Sequence, residues 1–246
     1  MNVHLKKAAL SLFAFGMLSM GSITASAEDS DVSISGDIGV FSQYLWRGMK
    51  QSTTGVSSVQ GDLNLDTGTG LSTNVWFASL DNNSTEFDFT VDYSGEFSDV
   101  SYSVGGIAYA YLNNAAANAS EVYIGLGYGP ISATYYYAVN GSWKKNSYID
   151  VALGHSMGGF DLSADFGFYI PSNTVANPSL FYDRNGNTLT KSGLGHVDLG
   201  ISKDVAVSGI AFTPSFMVSI PTYKETAGST SKKNNIQFVG GLSAAF

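Results

Sequence analysis

The 246-residue chain contains no cysteine, and only 13% of its residues are charged. The absence of cysteine excludes a disulfide scaffold and a thiolate metal site, and it suits an oxidising compartment in which free thiols would be a hazard. The charged share is about half of that usual in soluble globular proteins. A soluble chain of this length needs more charge on its surface, whereas a surface in contact with lipid needs little.

Basic residues are scarce as well, since 12 Lys and Arg stand against 20 Asp and Glu, for a formal net charge of -8. This acidic balance disfavours nucleic acid as a partner. The sequence shows no cluster of metal ligands and no phosphate-binding or dinucleotide motif, so we expect no cofactor and no enzyme activity. Outside the N-terminal segment, no run approaches 18 apolar residues, which excludes a membrane-spanning helix from the predicted fold.

The first residues have the three parts of a secretory signal. Two lysines precede an apolar run over residues 8–20, and Ala25-Ser26-Ala27 supplies the small residues of a cleavage site. We therefore predict a cleaved signal peptide over residues 1–27 and an exported mature chain over residues 28–246.

The mature chain is dominated by apolar and polar residues that alternate with period two. A strand with this pattern lies between an oily and a wet environment. The pattern recurs in twelve stretches, and the high content of Gly, Tyr and Phe suits tight strand packing and aromatic girdles at a membrane interface. The fourth stretch sets Phe87, Phe89, Val91 and Tyr93 against Asp88, Thr90, Asp92 and Ser94.

The connections between these stretches alternate in length. Short turns follow the even-numbered strands and longer polar loops follow the odd-numbered ones, an asymmetry that is typical of outer-membrane barrels and that a soluble sandwich does not need. The sequence therefore predicts an all-β fold, an antiparallel transmembrane up-and-down β-barrel of about 12 strands with both termini in the periplasm. The eleventh strand is predicted from roughly Ala206 to Ile220, and Pro214 within it predicts a bulge because proline lacks a donor.

Several segments carry a resemblance to a known family. Tyr44-Leu45-Trp46-Arg47-Gly48-Met49-Lys50-Gln51-Ser52, followed by Val59-Gln60-Gly61, is the most specific, and residues 74–79, 92–96 and 121–128 add further matches. Together they resemble the Gcw_chp family, also described as TorF-type porins. The resemblance implies a barrel in the outer membrane of Gram-negative bacteria with a pore function, and it brings no catalytic or ligand-binding residues.

The end of the chain is similar to that of outer-membrane barrel proteins in general. Residues 235–246 alternate in the same way and finish on Phe246. In that class the final strand pairs with the first and carries the assembly signal. The similarity implies that Phe246 is such a signal and that the barrel-assembly machinery and outer-membrane lipid are partners.

Acidic residues dominate the polar faces of the predicted strands. A barrel of twelve strands should leave a narrow passage, because eight strands fill their own interior and 16 to 18 leave a wide channel. Acidic walls in a narrow passage favour cations and cationic or neutral small solutes, although Asp is also a common water-facing residue in an acidic protein. The lumen-lining candidates are Asp37, Asp62, Asp88, Asp92, Asp150, Asp161, Asp165, His196 and Asp198.

Basic residues are concentrated at the predicted extracellular loops. This bias suits charge-assisted contacts with the phosphates of lipopolysaccharide, and the alternative is that the charges serve loop solubility alone. The candidates are Arg47, Lys50, Lys144, Lys145, Arg184, Lys191, Lys224, Lys232 and Lys233. Among them, Arg47 lies beside Tyr44 and Trp46, and this group predicts either a pore mouth or, more often in such proteins, girdle aromatics with an Arg paired to a carboxylate or a lipid.

Two other functions fit a barrel. One is a non-conducting envelope scaffold or adhesin, although the outer loops are only moderate in length. The other is an outer-membrane hydrolase, for which His155 beside Ser156 and His196 beside Asp198 are the available histidines. Neither spacing is diagnostic. The leading hypothesis is a narrow, cation-favouring outer-membrane porin for passive diffusion of small solutes or ions.

Overall fold

The computed structural model describes residues 32–52, 55–81, 84–172, 174–175, 178–183, 187–223 and 236–246. The predicted signal peptide therefore lies outside the described residues, and so do Arg184, Lys224, Lys232 and Lys233. Within the described part of the chain, no helix is long and apolar enough to cross a membrane.

Twelve strands close into an antiparallel barrel, as the alternation predicts. Each pairs with its neighbour along the chain, and the first pairs with the last, so that Asp37 lies opposite Ala245 and Phe41 opposite Gly241. The barrel strands are β1 Ser33–Phe41, β4 Ser58–Asp66, β5 Leu71–Ser79, β6 Thr85–Phe97, β7 Val100–Tyr111, β8 Ala119–Tyr128, β9 Ile131–Asn140, β10 Ser147–Met157, β11 Phe160–Ile170, β12 Gly193–Ser202, β14 Ile210–Pro221 and β15 Gln237–Ala245.

Three short strands complete the fold. β2 Leu45–Trp46 and β3 Met49–Lys50 form a hairpin within the first long connection. β13 Val205–Val207 pairs with the start of β14. We define the outer end of the barrel as the end that carries the three longest connections, 42–57, 171–192 and 222–236, together with 80–84, 112–118 and 141–146. The opposite, inner end carries 67–70, 98–99, 129–130, 158–159 and 203–209 together with both ends of the described chain.

The predicted start of the eleventh strand was wrong. The chain turns back at Ser208 and Gly209, whose φ angles of 51° and 86° form a tight turn, so β13 precedes β14 as a separate strand. Positive φ at two successive residues is the conformation that a two-residue hairpin requires. The sequence pattern did not predict the turn, because Val205, Val207 and Ile210 are apolar on both sides of it.

The bulge expected at Pro214 is also absent. Pro214 lies opposite Leu242 with no shift of register along β14 and β15. On its other side, the Pro214 carbonyl accepts a hydrogen bond of 3.2 Å from the Lys203 amide, and Lys203 lies between β12 and β13. The missing donor of proline therefore falls where the neighbouring strand is interrupted, and the ladder accommodates it without an extra residue.

The distribution of side chains is inverted relative to a soluble protein. Apolar residues are exposed on the face that points away from the barrel axis, where Ile38 is 50%, Val91 55% and Leu242 51% exposed. Carboxylates are buried on the face that points into the barrel, where Asp88 and Glu121 are each 1% exposed. Because side chains alternate along each strand, one face meets lipid and the other lines the interior.

The interior differs between its two ends. Large aromatic side chains fill the outer half, where Trp76, Tyr109, Tyr148 and Tyr169 are all buried. Small polar side chains line the inner half and are only partly buried; they include Ser35, Asn64, Ser72, Ser103, Ser163 and Ser215. A Cβ atom built on the inward-facing Gly154 would meet nothing within 4 Å. The outer half is therefore the packed part of the lumen.

Candidate functional site

The hairpin formed by β2 and β3 folds into the outer half of the barrel. Arg47 and Gly48 occupy its turn with φ angles of 51° and 70°, the pair of left-handed residues that a type I′ turn needs. The Gln51 amide extends the pairing by donating to the Tyr44 carbonyl over 3.0 Å. We call residues 44–51 the inward hairpin, because Tyr44, Leu45, Arg47 and Met49 are buried within the barrel.

Apolar side chains fix the inward hairpin to two separate parts of the barrel wall. Leu45 packs in a cluster with Phe41, Met217 and Val239, where the first and last strands meet. Met49 packs in the cluster of Tyr148, Tyr169 and Phe181. Burial of a Leu or Met side chain contributes about 1.5–3 kcal/mol. The hairpin is therefore anchored to the wall at two places.

Arg47 at the tip of the hairpin forms a buried ion pair with Glu121 of β8. Its Nη1 donates to Glu121 Oε1 over 2.9 Å and its Nη2 to Oε2 over 2.5 Å, and the side chains are 7% and 0% exposed. Tyr109 fixes the carboxylate by donating to Oε2 over 2.9 Å. Arg47 belongs to a connection between strands. Burial lowers the pKa of its guanidinium, but Glu121 together with Tyr109 and Tyr148 raises the pKa by more, so that it lies above its ordinary value. This geometry matches the bidentate Arg–carboxylate pair, the strongest form of such a contact.

Aromatic rings enclose the same guanidinium. Its Cζ lies 4.4 Å from the centre of the Trp46 ring, 4.9 Å from that of Tyr136 and 4.4 Å from that of Tyr148. A cation within about 6 Å of an aromatic ring centre is attracted by the ring quadrupole. The wall residues Glu121, Tyr109, Tyr136 and Tyr148 thus form a cage for a planar cation, which we call the guanidinium cage.

Two of the three cage tyrosines, Tyr136 and Tyr148, belong to a row that crosses four strands. Tyr123, Tyr136, Tyr148 and Tyr169 are direct cross-strand partners on β8, β9, β10 and β11. Their ring centres are 5.5, 6.0 and 6.2 Å apart in that order. The register and the inward parity of each strand therefore place a continuous aromatic surface beneath the hairpin tip.

A polar network adjoins the tyrosine row on β10 and β12. The Tyr148 hydroxyl lies 2.9 Å from His196 Nε2 and donates to Asp150 Oδ1 over 3.0 Å. His196 Nδ1 lies 3.0 Å from Asp198 Oδ1. The hairpin tip contacts this network directly, because a Cβ atom on Gly48 would lie 2.5 Å from His196 Cγ. Only glycine fits here, for reasons of both space and backbone conformation.

Other carboxylates of the wall have unpaired oxygens. Asp165, Asp198 and Ser219 are successive cross-strand partners on β11, β12 and β14, and all three are nearly fully buried. Both Asp165 carboxylate oxygens and Ser219 Oγ have no hydrogen-bond partner among the described protein atoms, whereas Asp198 Oδ1 faces His196 Nδ1 at 3.0 Å. Asp37 and Asp62 face each other directly on β1 and β4. The wall is therefore rich in acidic groups and in hydrogen-bond acceptors.

A family match covers more than half of the chain. Residues 25–183 match the model of Gcw_chp, described as bacterial protein of unknown function. The chain belongs to the Gcw_chp family. The match includes the motif of residues 44–52, so in this member of the Gcw_chp family the motif forms the inward hairpin. A comparison with curated proteins finds no match.

Two solved structures share the fold of this Gcw_chp chain. The KdgM porin in complex with disordered oligogalacturonate aligns with a TM-score of 0.53 at 10% identity, covering 86% of this chain and 98% of the porin chain. A second KdgM porin structure aligns with a TM-score of 0.51 at 11% identity and the same coverage. At such low identity the likeness shows the fold, which is that of an outer-membrane porin.

The structure brings several of the predicted lumen residues together. Asp150, His196 and Asp198 lie in the network below the hairpin tip, with Asp165 beside Asp198. The other predicted residues are spread over the wall. Asp88 is buried on β6, Asp92 accepts a hydrogen bond of 2.6 Å from Tyr123, and Asp161 is half-buried near the inner end with a bond from Ser156.

Glu86 and Glu121 were missed by the sequence reasoning, although both are 1% exposed on the interior face. The signal was available, because Glu86 has the same parity as Asp88 on its strand and Glu121 alternates with the outward Val122. Glu86 Oε1 accepts a hydrogen bond of 2.7 Å from Tyr111. The candidates from the sequence were all Asp or His, so Glu121, the carboxylate that binds Arg47, was not among them.

The predictions for Arg47 and its aromatic neighbours need correction. The interpretation as girdle aromatics was wrong, because Tyr44 is buried against Trp76 at 5.3 Å between ring centres and Trp46 packs on Trp143 inside the barrel. Arg47 does pair with a carboxylate, but it is buried and so does not present its charge to lipopolysaccharide. Lys50, Lys144, Lys145 and Lys191 are exposed at the outer end.

The two histidines considered for a hydrolase occupy different environments. His155 is exposed on the outward face near the inner end, and its neighbour Ser156 donates its hydroxyl hydrogen bond to Asp161. His196 is buried, and within the described part of the chain the hydroxyl that it contacts is that of Tyr148. A Ser–His pair, the arrangement that activates a serine nucleophile, is therefore not formed by His196 and a described serine.

Proposed function

We propose that this protein is a narrow outer-membrane channel through which small solutes diffuse, with a preference for cations and neutral molecules over anions. The observation that carries the proposal is the acidic interior wall. Glu86, Asp88 and Asp165 are buried on it, and each has an oxygen without a hydrogen-bond partner among the described protein atoms. Arg47, the basic residue at the hairpin tip, is already paired with Glu121, and His196 is paired with Asp198. The wall therefore has a surplus of acidic groups over basic ones.

The dimensions of the barrel support a narrow passage. Twelve strands enclose more space than the eight that fill their own interior and less than the 16 to 18 of wide porins. The inward hairpin occupies part of this space at the outer end, while the inner half is lined by small polar side chains. Solutes that pass must therefore be small, and their passage is controlled where the hairpin lies.

The charge of the wall also bears on the class of solute. The structural neighbour KdgM was solved in complex with oligogalacturonate, a saccharide that carries carboxylates. In this chain, an anionic saccharide would meet the acidic groups of Asp165 and Asp198 on the wall. Repulsion between like charges in a confined space disfavours entry. We therefore assign neutral and cationic small solutes to this channel.

We expect discrete conductance steps from the refolded mature protein in planar bilayers, with a reversal potential of cationic sign under a KCl gradient. The double variant Asp165→Asn/Asp198→Asn is expected to reduce this selectivity, because it removes two charges from the wall. The matched control is Asp99→Asn, which removes a charge from an exposed turn at the inner end and should leave the reversal potential unchanged.

An anion-selective reversal potential would contradict the electrostatic part of the proposal. A barrel that is folded, as judged by its heat-modifiable mobility in gels, yet conducts no current would favour the envelope scaffold instead. In that case a lipid-hydrolysis assay comparing the parent protein with His196→Ala would test the hydrolase alternative.

We also propose that the exposed lysines of the outer end bind the phosphates of lipopolysaccharide. Lys144 and Lys145 are adjacent and exposed within the outer connection 141–146, while Lys203 lies at the inner end. The variant Lys144→Ala/Lys145→Ala is expected to bind lipopolysaccharide more weakly in native mass spectrometry, since each lysine supplies a charge-assisted contact. Lys203→Ala is the control and should bind as the parent does. Equal affinity of all three proteins would exclude this role.

A further inference from the structure

We infer that the guanidinium cage is a binding site for small solutes that carry a guanidinium group, and that Arg47 of the inward hairpin is its tethered occupant. The inference deepens the proposed function, because it names a class of cationic solute and the place where the channel holds it. The inference rests on the proposed function, because a solute must enter the channel to reach the outer half of the lumen.

The first observation is that the cage is complete without the hairpin. Glu121, Tyr109, Tyr136 and Tyr148 belong to four neighbouring barrel strands, β8, β7, β9 and β10. The ladders between these strands fix their positions, with a shift of register between Ser120 and Glu121 in the ladder of β8 and β9. Among the described groups that contact the guanidinium, Trp46 is the one that belongs to the hairpin. The carboxylate is oriented independently of Arg47 by the Tyr109 hydroxyl over 2.9 Å. The site is therefore preformed on a rigid wall.

The second observation is that the cage is specific for the shape of a guanidinium. Both carboxylate oxygens of Glu121 accept from different nitrogens of Arg47, at 2.9 and 2.5 Å. The rings of Tyr136 and Tyr148 lie 4.9 and 4.4 Å from the guanidinium carbon. A flat, delocalised cation with two parallel donors satisfies both conditions, whereas an ammonium group is a compact point charge that forms one such bond. The geometry thus selects guanidinium over ammonium and over uncharged isosteres.

The third observation is that the occupant is attached through a short segment that is anchored outside the barrel ladder, by apolar contacts and by a hydrogen bond of 2.6 Å from the Tyr169 hydroxyl to the Arg47 carbonyl. β2 and β3 pair only with each other, and the strand nearest to them along the chain ends at Phe41. A solute that competes with Arg47 for Glu121 therefore displaces the tip of the hairpin without breaking a barrel strand. Binding of the solute and opening of the outer lumen are the same event in this arrangement.

The test uses binding in detergent micelles, so that failure to bind and failure to conduct are separate results. Methylguanidinium is titrated by calorimetry into the Arg47→Ala protein, in which the apolar anchors Leu45 and Met49 are retained and the cage is vacant. We expect binding that is about tenfold tighter than in the Arg47→Ala/Glu121→Gln protein, which lacks the carboxylate charge. Methylurea, a neutral isostere, and methylammonium serve as matched ligands, and we expect both to bind more weakly than methylguanidinium.

A second measurement uses the unaltered protein. Methylguanidinium is expected to accelerate hydrogen exchange of the amides of residues 44–51, because it competes with Arg47 and releases the hairpin, and methylurea at the same concentration should not. Equal affinity of methylguanidinium for the two variants, or equal affinity of Arg47→Ala for methylguanidinium and methylurea, would overturn the inference. If the variants fail to fold, the unaltered protein still decides the matter. In that case the inference would be overturned if methylguanidinium left the hydrogen exchange of residues 44–51 unchanged.

Discussion

Replacement of residues 42–57 by a short Asn-Gly turn is expected to raise the single-channel conductance of the refolded barrel by about a factor of two or more, since conductance follows the narrowest cross-section. The inward hairpin, residues 44–51, lies within this segment and occupies the outer half of the lumen. The replacement leaves the barrel intact, because Phe41 and Ser58 face each other at the ends of β1 and β4. A two-residue turn joins such a pair without separating the strands.

A matched control shortens a different outer connection, 112–118. Its residues are exposed except for the partly buried Ala117, so it contributes little to the packed interior. This variant is expected to conduct as the parent does. The interpretation of the hairpin as the constriction would be wrong if the two replacements changed conductance equally, or if removal of residues 42–57 had no effect.

Substitution of Arg47 by Met is expected to weaken docking of the inward hairpin by about 3–5 kcal/mol, because it leaves the charge of Glu121 buried and unpaired. That loss corresponds to an increase of about 10²-fold to several thousandfold in the population of the undocked hairpin. Hydrogen exchange of the Gln51 amide, which donates to the Tyr44 carbonyl within the hairpin, measures this population. The exchange of barrel amides on β8 and β9 should change much less.

The double variant Arg47→Met/Glu121→Met separates charge from packing. Replacing both members of a buried ion pair by apolar residues of similar volume is often neutral or stabilising, so the double variant is expected to recover most of the protection lost in Arg47→Met. A double variant that exchanges as fast as the single one would show that the lost aromatic contacts, rather than the stranded carboxylate, explain the effect. In that case the cation–π contacts with Tyr136 and Tyr148 carry the docking energy.

The architecture of the barrel was predictable from the sequence because a membrane imposes a simple rule on each strand. Apolar and polar residues must alternate where one face meets lipid and the other meets the interior, as Phe87, Asp88, Phe89 and Thr90 show. Twelve strands and the order of long and short connections follow from counting such stretches. The rule fails where both faces are apolar, which is why the turn at Ser208 and Gly209 was missed.

The candidate site was predictable only in part, because parity gives the face of a residue and not its partners. Parity placed Asp150, Asp165 and Asp198 on one face, and the structure buries all three there. The inward hairpin could not be foreseen in the same way, since a polar connection with Lys50, Gln51 and Ser52 is typical of an exposed loop. Its direction is decided by tertiary contacts, above all that between Arg47 and Glu121, which lie 74 residues apart in sequence.

Residues near both ends of the chain form the contacts between the inward hairpin and one part of the barrel wall, so the order in which strands form decides when the hairpin can dock. Leu45 packs on Met217 and Val239, and the Gln43 amide donates to the Phe238 carbonyl over 3.0 Å. These partners arrive only when β14 and β15 are in place, and contacts of such sequence separation form late because closing the intervening loop is entropically costly. We therefore expect the hairpin to dock after barrel closure, so that the outer half of the lumen is filled only in the closed barrel.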